Sequence, residues 1–181
     1  MARSFVLVFA VLGMLAPSSR AEWPAPKAPV IPAADGYVVI PDVAVPPDPA
    51  RSYRAIFDAS RGAANPKQLV PALNNAGSEL NAFGVAGVGR SHIKFAVVFH
   101  GAALDALLDD DHYKAKFGVA NPNLPVLQQF KKAGVELFVC GQNLASDHID
   151  PRTLSPDVTV ASDALIVLIV YQNRGYALLS F

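Results

Sequence analysis

Ile93-Lys94-Phe95-Ala96-Val97-Val98-Phe99-His100-Gly101 decides the fold. The run up to Phe99 carries one charge and no polar alternation, so a strand formed by it must be covered on both faces. That is the pattern of a central strand in a parallel sheet. A second such run, Glu136-Leu137-Phe138-Val139-Cys140, breaks into Gly141-Gln142-Asn143. Between and around these lie segments of helical spacing. Asn65-Pro66 offers an N-cap and first-turn pair for a helix reaching about Phe83, with Leu69, Leu73, Ala76, Leu80 and Phe83 forming one apolar stripe. Pro125 to Ala133 reads as a helix ended by Gly134, and short helices are expected over Ala102–Leu108 and Leu144–Ile149. Tyr53–Asp58, Val158–Val160 and Tyr176–Leu179 supply further short strands. The alternation predicts a three-layer α/β/α domain with an open, mostly parallel sheet. Ligands of such sheets gather outside the carboxyl ends of the strands, where Asp58, His100 and Cys140 are expected to converge.

The chain before this domain reads differently. Residues 1–21 have a basic start at Arg3, an apolar core from Phe5 to Leu15 and the small-x-small ending Ser19-Arg20-Ala21. These are the parts of a cleaved signal peptide, and the core is shorter than the roughly 20 apolar residues of a membrane span. The expectation is therefore a periplasmic or otherwise exported protein without stable membrane insertion after cleavage. Residues 22–51 are dense in proline, which disfavours helix interiors and central strands. They read as an extended arm, with Gly36-Tyr37-Val38-Val39-Ile40 as its one ordered element. Residues 52–181 are expected to form a single domain.

Composition narrows the function classes. Basic and acidic side chains balance at 15 each, and no basic stripe interleaves with aromatics, so nucleic-acid binding has no support. The glycines from Gly84 to Gly89 match no phosphate-binding fingerprint, and no cofactor is called for. With one cysteine, no intramolecular disulfide forms even in an oxidising compartment.

That cysteine, Cys140, ends a strand just before a glycine, which places a thiol at the mouth of the sheet. Gly141 permits close approach to the sulfur, while Gln142 and Asn143 add uncharged donors. The competing reading is a buried core cysteine, a common fate of free thiols. His100, with Gly101 after it, sits at the same sheet edge and is placed to take the thiol proton or stabilise the thiolate; a backbone-bonded loop histidine is the alternative. His100 and Cys140 fall short of the three or four ligands a metal site uses, so no metal is assigned. In Tyr171-Gln172-Asn173-Arg174-Gly175-Tyr176, Asn173 and Arg174 are candidates for holding anionic sulfur, against a helix C-cap closed by Gly175.

The segment Ser162–Gln172 contains Ala164-Leu165-Ile166-Val167-Leu168-Ile169-Val170. A helix apolar all round is covered all round, which predicts a homo-oligomer. Ala76-Gly77-Ser78-Glu79-Leu80-Asn81, Val97-Val98-Phe99-His100-Gly101, Leu137-Phe138-Val139-Cys140-Gly141-Gln142 and Tyr171-Gln172-Asn173-Arg174-Gly175-Tyr176 together resemble the exported branch of the DsrE-like (DsrE/DsrF-like) family of sulfur-relay proteins. The resemblance implies a parallel sheet of about five strands, a trimer or hexamer, and a strand-end cysteine that receives and passes on a persulfide. Cys140 stands in that type of position. The expected function is a persulfide carrier or sulfurtransferase with a protein or small-molecule sulfur donor and acceptor. The alternatives are a non-enzymatic oligomeric protein binding a small ligand or metal, and an inert scaffold whose arm recruits a partner.

Overall fold

The computed structural model describes residues 22–181; the segment read as a signal peptide lies outside the described residues. One sheet holds β1 (Tyr53–Ala59), β2 (Ile93–Phe99), β3 (Glu136–Cys140), β4 (Thr159–Ala161) and β5 (Ala177–Ser180). Its order is β4-β3-β2-β1-β5, and every pairing is parallel. β2 takes the central place that its apolar run demands.

Strand alternation sends the two side-chain sets to separate cores. On one face Phe57, Phe95, Val97, Phe99, Leu137 and Val139 pack with residues of α1 (Pro71–Val85) and α3 (Leu124–Ala133), among them Leu73, Leu80, Leu127 and Phe130. On the other, Ile56, Ala96, Val98 and Cys140 are covered by α5 (Ala164–Asn173), through Ala164, Val167, Leu168 and Tyr171. The opposite side of α5 is open: Leu165, Ile166, Ile169 and Val170 are exposed, Leu165 at 62% and Ile169 at 57%. The apolar helix is thus covered on one side only within the protomer. Two short helices, α2 (Asp110–Phe117) and α4 (Gly141–Ser146), complete the set. No helix among the described residues is long and apolar enough to cross a membrane.

Several boundaries differ from the sequence expectation. The first helix starts at Pro71, with Val70 as its cap, and Asn65-Pro66 instead forms a turn in which the Asn65 side chain accepts from the Lys67 amide at 2.9 Å. Both prolines suit a first-turn position, but a helix begun at Pro66 would carry Pro71 in its interior, where the ring clashes and a backbone donor is lost. The helix after β3 begins at Gly141, directly on the strand end, three residues before the expected Leu144.

The arm is tied down more firmly than its proline content suggests. Lys27 and Tyr37 exchange two backbone hydrogen bonds of 2.9 and 2.8 Å, closing a loop over α1. Tyr37 makes no sheet pairing beyond that bridge, and the ordered element lies earlier, around Ile31, which is completely buried in the main core. Asn81, also fully buried, is the clasp. Its Oδ1 accepts from the amides of Val30 (3.0 Å) and Ile31 (2.8 Å), and its Nδ2 donates to the carbonyls of Ile31 and Asp35, each at 3.0 Å. All four hydrogen-bonding positions of the side chain are used. Gly77 and Gly84 on the same helix face leave room for the loop: a Cβ on Gly84 would lie 2.6 Å from Val30, and one on Gly77 would collide with Ala34.

Asn81→Ala removes the clasp and strands buried backbone groups, so stability is expected to fall by about 1–3 kcal/mol. Urea unfolding measures the loss, and limited proteolysis is expected to cut within residues 27–40 of the variant and to spare that loop in the wild type.

Candidate functional site

The carboxyl ends of five parallel strands lie along one edge, and a thiol, an imidazole, two carboxylates and a hydroxyl gather there. Asp58 is the penultimate residue of β1, His100 follows β2, Cys140 ends β3, Asp163 lies two residues beyond β4 and Ser180 ends β5. Cys140 belongs to the core under α5, and Asp58 and His100 continue the alternation of Ile56 and Val98. The acid, the imidazole and the thiol therefore share the α5 face of the sheet.

Cys140 is 4% exposed. Its Sγ accepts a hydrogen bond of 3.3 Å from the amide of Ala164, the first residue of α5. The next two amides, Leu165 and Ile166, are taken by Asp163 Oδ1 at 2.6 and 3.2 Å. A thiol and a carboxylate thus divide the donors that the start of the helix would leave unsatisfied. The geometry fits a thiolate as well as a thiol, because an amide aimed at sulfur makes a charge-assisted bond once the proton leaves.

The loops around the sulfur are held by the residues following it. Gly141 packs against the end of β4, where a Cβ would lie 2.6 Å from the Ala161 carbonyl oxygen and 3.3 Å from that of Ser162. The Gln142 amide donates to the Ser162 carbonyl at 3.3 Å, and Asn143 Oδ1 accepts from the Gly101 amide at 3.3 Å. Gly101 adopts φ +54, with its Cβ position 3.2 Å from the Ser60 carbonyl oxygen, so a side chain there would be strained. Gln142, through its amide N–H, and Asn143, through its Oδ1, thus brace neighbouring loops, and both also line the cleft.

His100, Cys140, Gln142, Asn143, Asp163 and Leu165 are among the residues lining an open cleft of about 430 Å³. His100 Nε2 lies 2.6 Å from Asp58 Oδ1, and Ser180 Oγ donates to Asp58 Oδ2 at 3.1 Å. A larger cleft of about 520 Å³ between the arm and α1, bounded by Asp35, Gln68, Asn74 and Asn75, holds neither a thiol nor an imidazole. The strand-end cleft is accordingly the candidate site. Among the described residues no group of three or more His, Cys, Asp and Glu side chains is gathered to hold a metal ion.

Asn173 and Arg174 are not part of this cleft. They lie at the far end of α5, which runs roughly 15 Å from Ala164 at 1.5 Å per residue. The Arg174 carbonyl accepts from Arg54, near the start of β1, at 3.2 Å. The guanidinium stacks over Tyr171, 5.3 Å from the ring centroid. Tyr171 donates to Glu136, the first residue of β3, at 2.6 Å; burial and this carboxylate hold its phenol well above the usual range. The whole segment Tyr171–Tyr176 is a helix-ending motif. Gly175 at φ +80 donates to Gln172, Tyr176 donates to Tyr171, and the two tyrosine rings meet edge to face at 4.8 Å. This is the Schellman arrangement with its apolar contact, and it accounts for the motif without a bound anion.

A sequence profile of the DsrE/DsrF-like family matches residues 54–181, and the chain belongs to that family. No curated protein sequence matches it. Among solved structures, the chain is similar to MTH1491 of Methanobacterium thermoautotrophicum, described as a protein of unknown function, with a TM-score of 0.53 at 17% identity over 72% of this chain and 100% of that one. It is also similar to the ychN protein of E. coli, with a TM-score of 0.50 at 14% identity over 71% of this chain and 99% of that one. At these identities the likeness concerns the fold.

Gly141→Ala forces a methyl group against the Ala161 carbonyl, so the end of β4 must shift. The variant is expected to lose about 1–3 kcal/mol in denaturant unfolding.

Proposed function

We propose that the protein carries sulfane sulfur as a persulfide on Cys140, receiving it from one thiol and yielding it to another. The observation that carries this reading is the position of the Cys140 sulfur. It ends a central strand, accepts the first amide of α5 and lines one cleft with His100. Membership of a family resembling sulfur relays is consistent with it. The cleft lining includes a carboxylate, Asp163, and no lysine or arginine, and Arg174 stands at the other end of α5. An oxoanionic donor such as thiosulfate would meet no permanent cation there, so the donor assigned is a persulfide of a small or protein thiol.

The low exposure of the sulfur favours a second reading, in which Cys140 only caps α5 within a non-enzymatic oligomeric binding protein. Cys140→Ser separates the two, since a hydroxyl keeps an acceptor for Ala164 while abolishing persulfide formation. After incubation with an alkyl persulfide, intact mass is expected to show one added sulfur on the wild type and none on Cys140→Ser, with the variant's melting temperature close to the wild type. A wild type without the adduct would leave the capping role alone.

We infer in addition that further copies of the chain cover the open side of α5, making a homo-oligomer, and that the protein works after export, as its first 21 residues lead one to expect. Four large apolar side chains on one helix side form the kind of patch that marks an interface. Ile169→Asp is expected to reduce the assembly to smaller species in light scattering while leaving the protomer folded. Leu168→Asp, which buries a charge against the sheet, is expected to unfold the protomer. An unchanged assembly for Ile169→Asp would exclude this face.

A further inference from the structure

A second set of groups adjoins the thiol cleft and is not used by a cysteine acting alone. Asp58 stands between two neighbours that each take one of its oxygens. β5 places Ser180 at the register partner of Asp58, and the hydroxyl donates to Oδ2 at 3.1 Å. β2 brings His100 to the other side, with Nε2 2.6 Å from Oδ1. The side chains are largely covered, His100 being 25% and Asp58 19% exposed. An ionised carboxylate can only accept, so the imidazole nitrogen facing it must carry a hydrogen. The contact thereby fixes the tautomer of a neutral His100: Nε2 is protonated and Nδ1 holds the free lone pair. Nδ1 has no hydrogen-bond partner among the described residues, and it is not a buried atom left unsatisfied.

We propose that Asp58, braced by Ser180, is a positioning residue that makes His100 Nδ1 the proton acceptor for sulfur exchange at Cys140. The inference rests on the persulfide-carrier reading and deepens it. Across the shared cleft, through one intervening water, Nδ1 takes the Cys140 S–H proton. The thiolate attacks the outer sulfur of an alkyl persulfide, R–S–SH. A Cys140–sulfur bond forms as the donor S–S bond breaks, and the departing thiolate recovers the proton from the imidazolium. The products are Cys140–S–SH and R–SH, with no net oxidation and no outside reductant. The Asp58 carboxylate stabilises the imidazolium between the two transfers, the logic by which an acid orients a histidine beside a nucleophile. The remaining titratable group lining the cleft, Asp163, is occupied by the Leu165 and Ile166 amides, which leaves His100 as the one base suited to the task.

The test is Asp58→Asn in the full chain. The amide can turn its N–H toward Nε2 and drive the imidazole hydrogen to Nδ1, removing the acceptor while keeping a hydrogen bond. Loading of Cys140 from a small alkyl persulfide, followed by intact mass over time, is expected to slow at least about 10-fold. Nitrogen NMR is expected to show His100 as the Nε2–H tautomer in the wild type and as Nδ1–H in the variant, a change that a merely structural role would not produce. His100→Ala is expected to load slowly and to recover with added imidazole, and this decides the matter if Asp58→Asn does not fold. Equal loading by Asp58→Asn and wild type, or an Nδ1–H tautomer in the wild type, would overturn the positioning role while leaving the carrier intact. A wild type that takes up no sulfur would instead remove the carrier reading, and the proton-transfer role with it.

Discussion

The bond from the Ala164 amide to Cys140 Sγ joins the end of an interior strand to the start of α5, the helix that packs on that face of the sheet. The rest of the site is arranged about it. α5 must begin beside β3 for the bond to form, which sets the loop Ser162-Asp163 against Gly141 and requires a residue without a Cβ there. The same placement lets Asp163 take the next two amides. The sulfur is thus a structural acceptor and, in the proposed function, also the reacting group. Its cap role confines it to one position, and its place at the carboxyl edge of the sheet puts it where parallel-sheet proteins bind their ligands.

The central strands were legible from residues alone, because a strand covered on both faces must be almost wholly apolar, and Ile93–Phe99 meets that condition apart from the exposed Lys94 near its start. The convergence of Asp58, His100 and Cys140 followed from parallel topology, since each stands at a strand's end. The detail that Asp58 grips His100 did not follow, because it depends on strand order: β1 lies between β2 and β5, and no local pattern encodes that neighbourhood. Arg174 misled for a related reason. A cation in a polar cluster reads equally as an anion holder and as a helix end, and only the direction of α5 shows that it lies at the amino edge of the sheet, away from the thiol.

The arm shows another limit of periodicity. Val30 and Ile31 are a lone apolar pair between Pro29 and Pro32, so Ile31 has no spacing to announce a core residue. Its docking is written on α1 instead. Gly77, Asn81 and Gly84 recur at helical spacing on one face, leaving a channel for backbone with an amide to bind it. A buried asparagine between two helix glycines is a signal that a segment from elsewhere lies across the helix, and it was available in the sequence. Pro71 is similar. Two prolines competed for the first turn, and the later one prevails because a helix tolerates proline only at its start.

The central claim is that the Cys140 sulfur works through the cleft rather than serving as core packing. The most direct test is the rate at which folded, reduced protein reacts with a small neutral alkylating reagent, set against the rate for the same chain in denaturant and read by intact mass. The account predicts complete labelling of the folded protein well before any unfolding, and none of Cys140→Ser. Labelling that appears only as the protein unfolds would contradict it and leave the thiol as a helix cap sealed in the core.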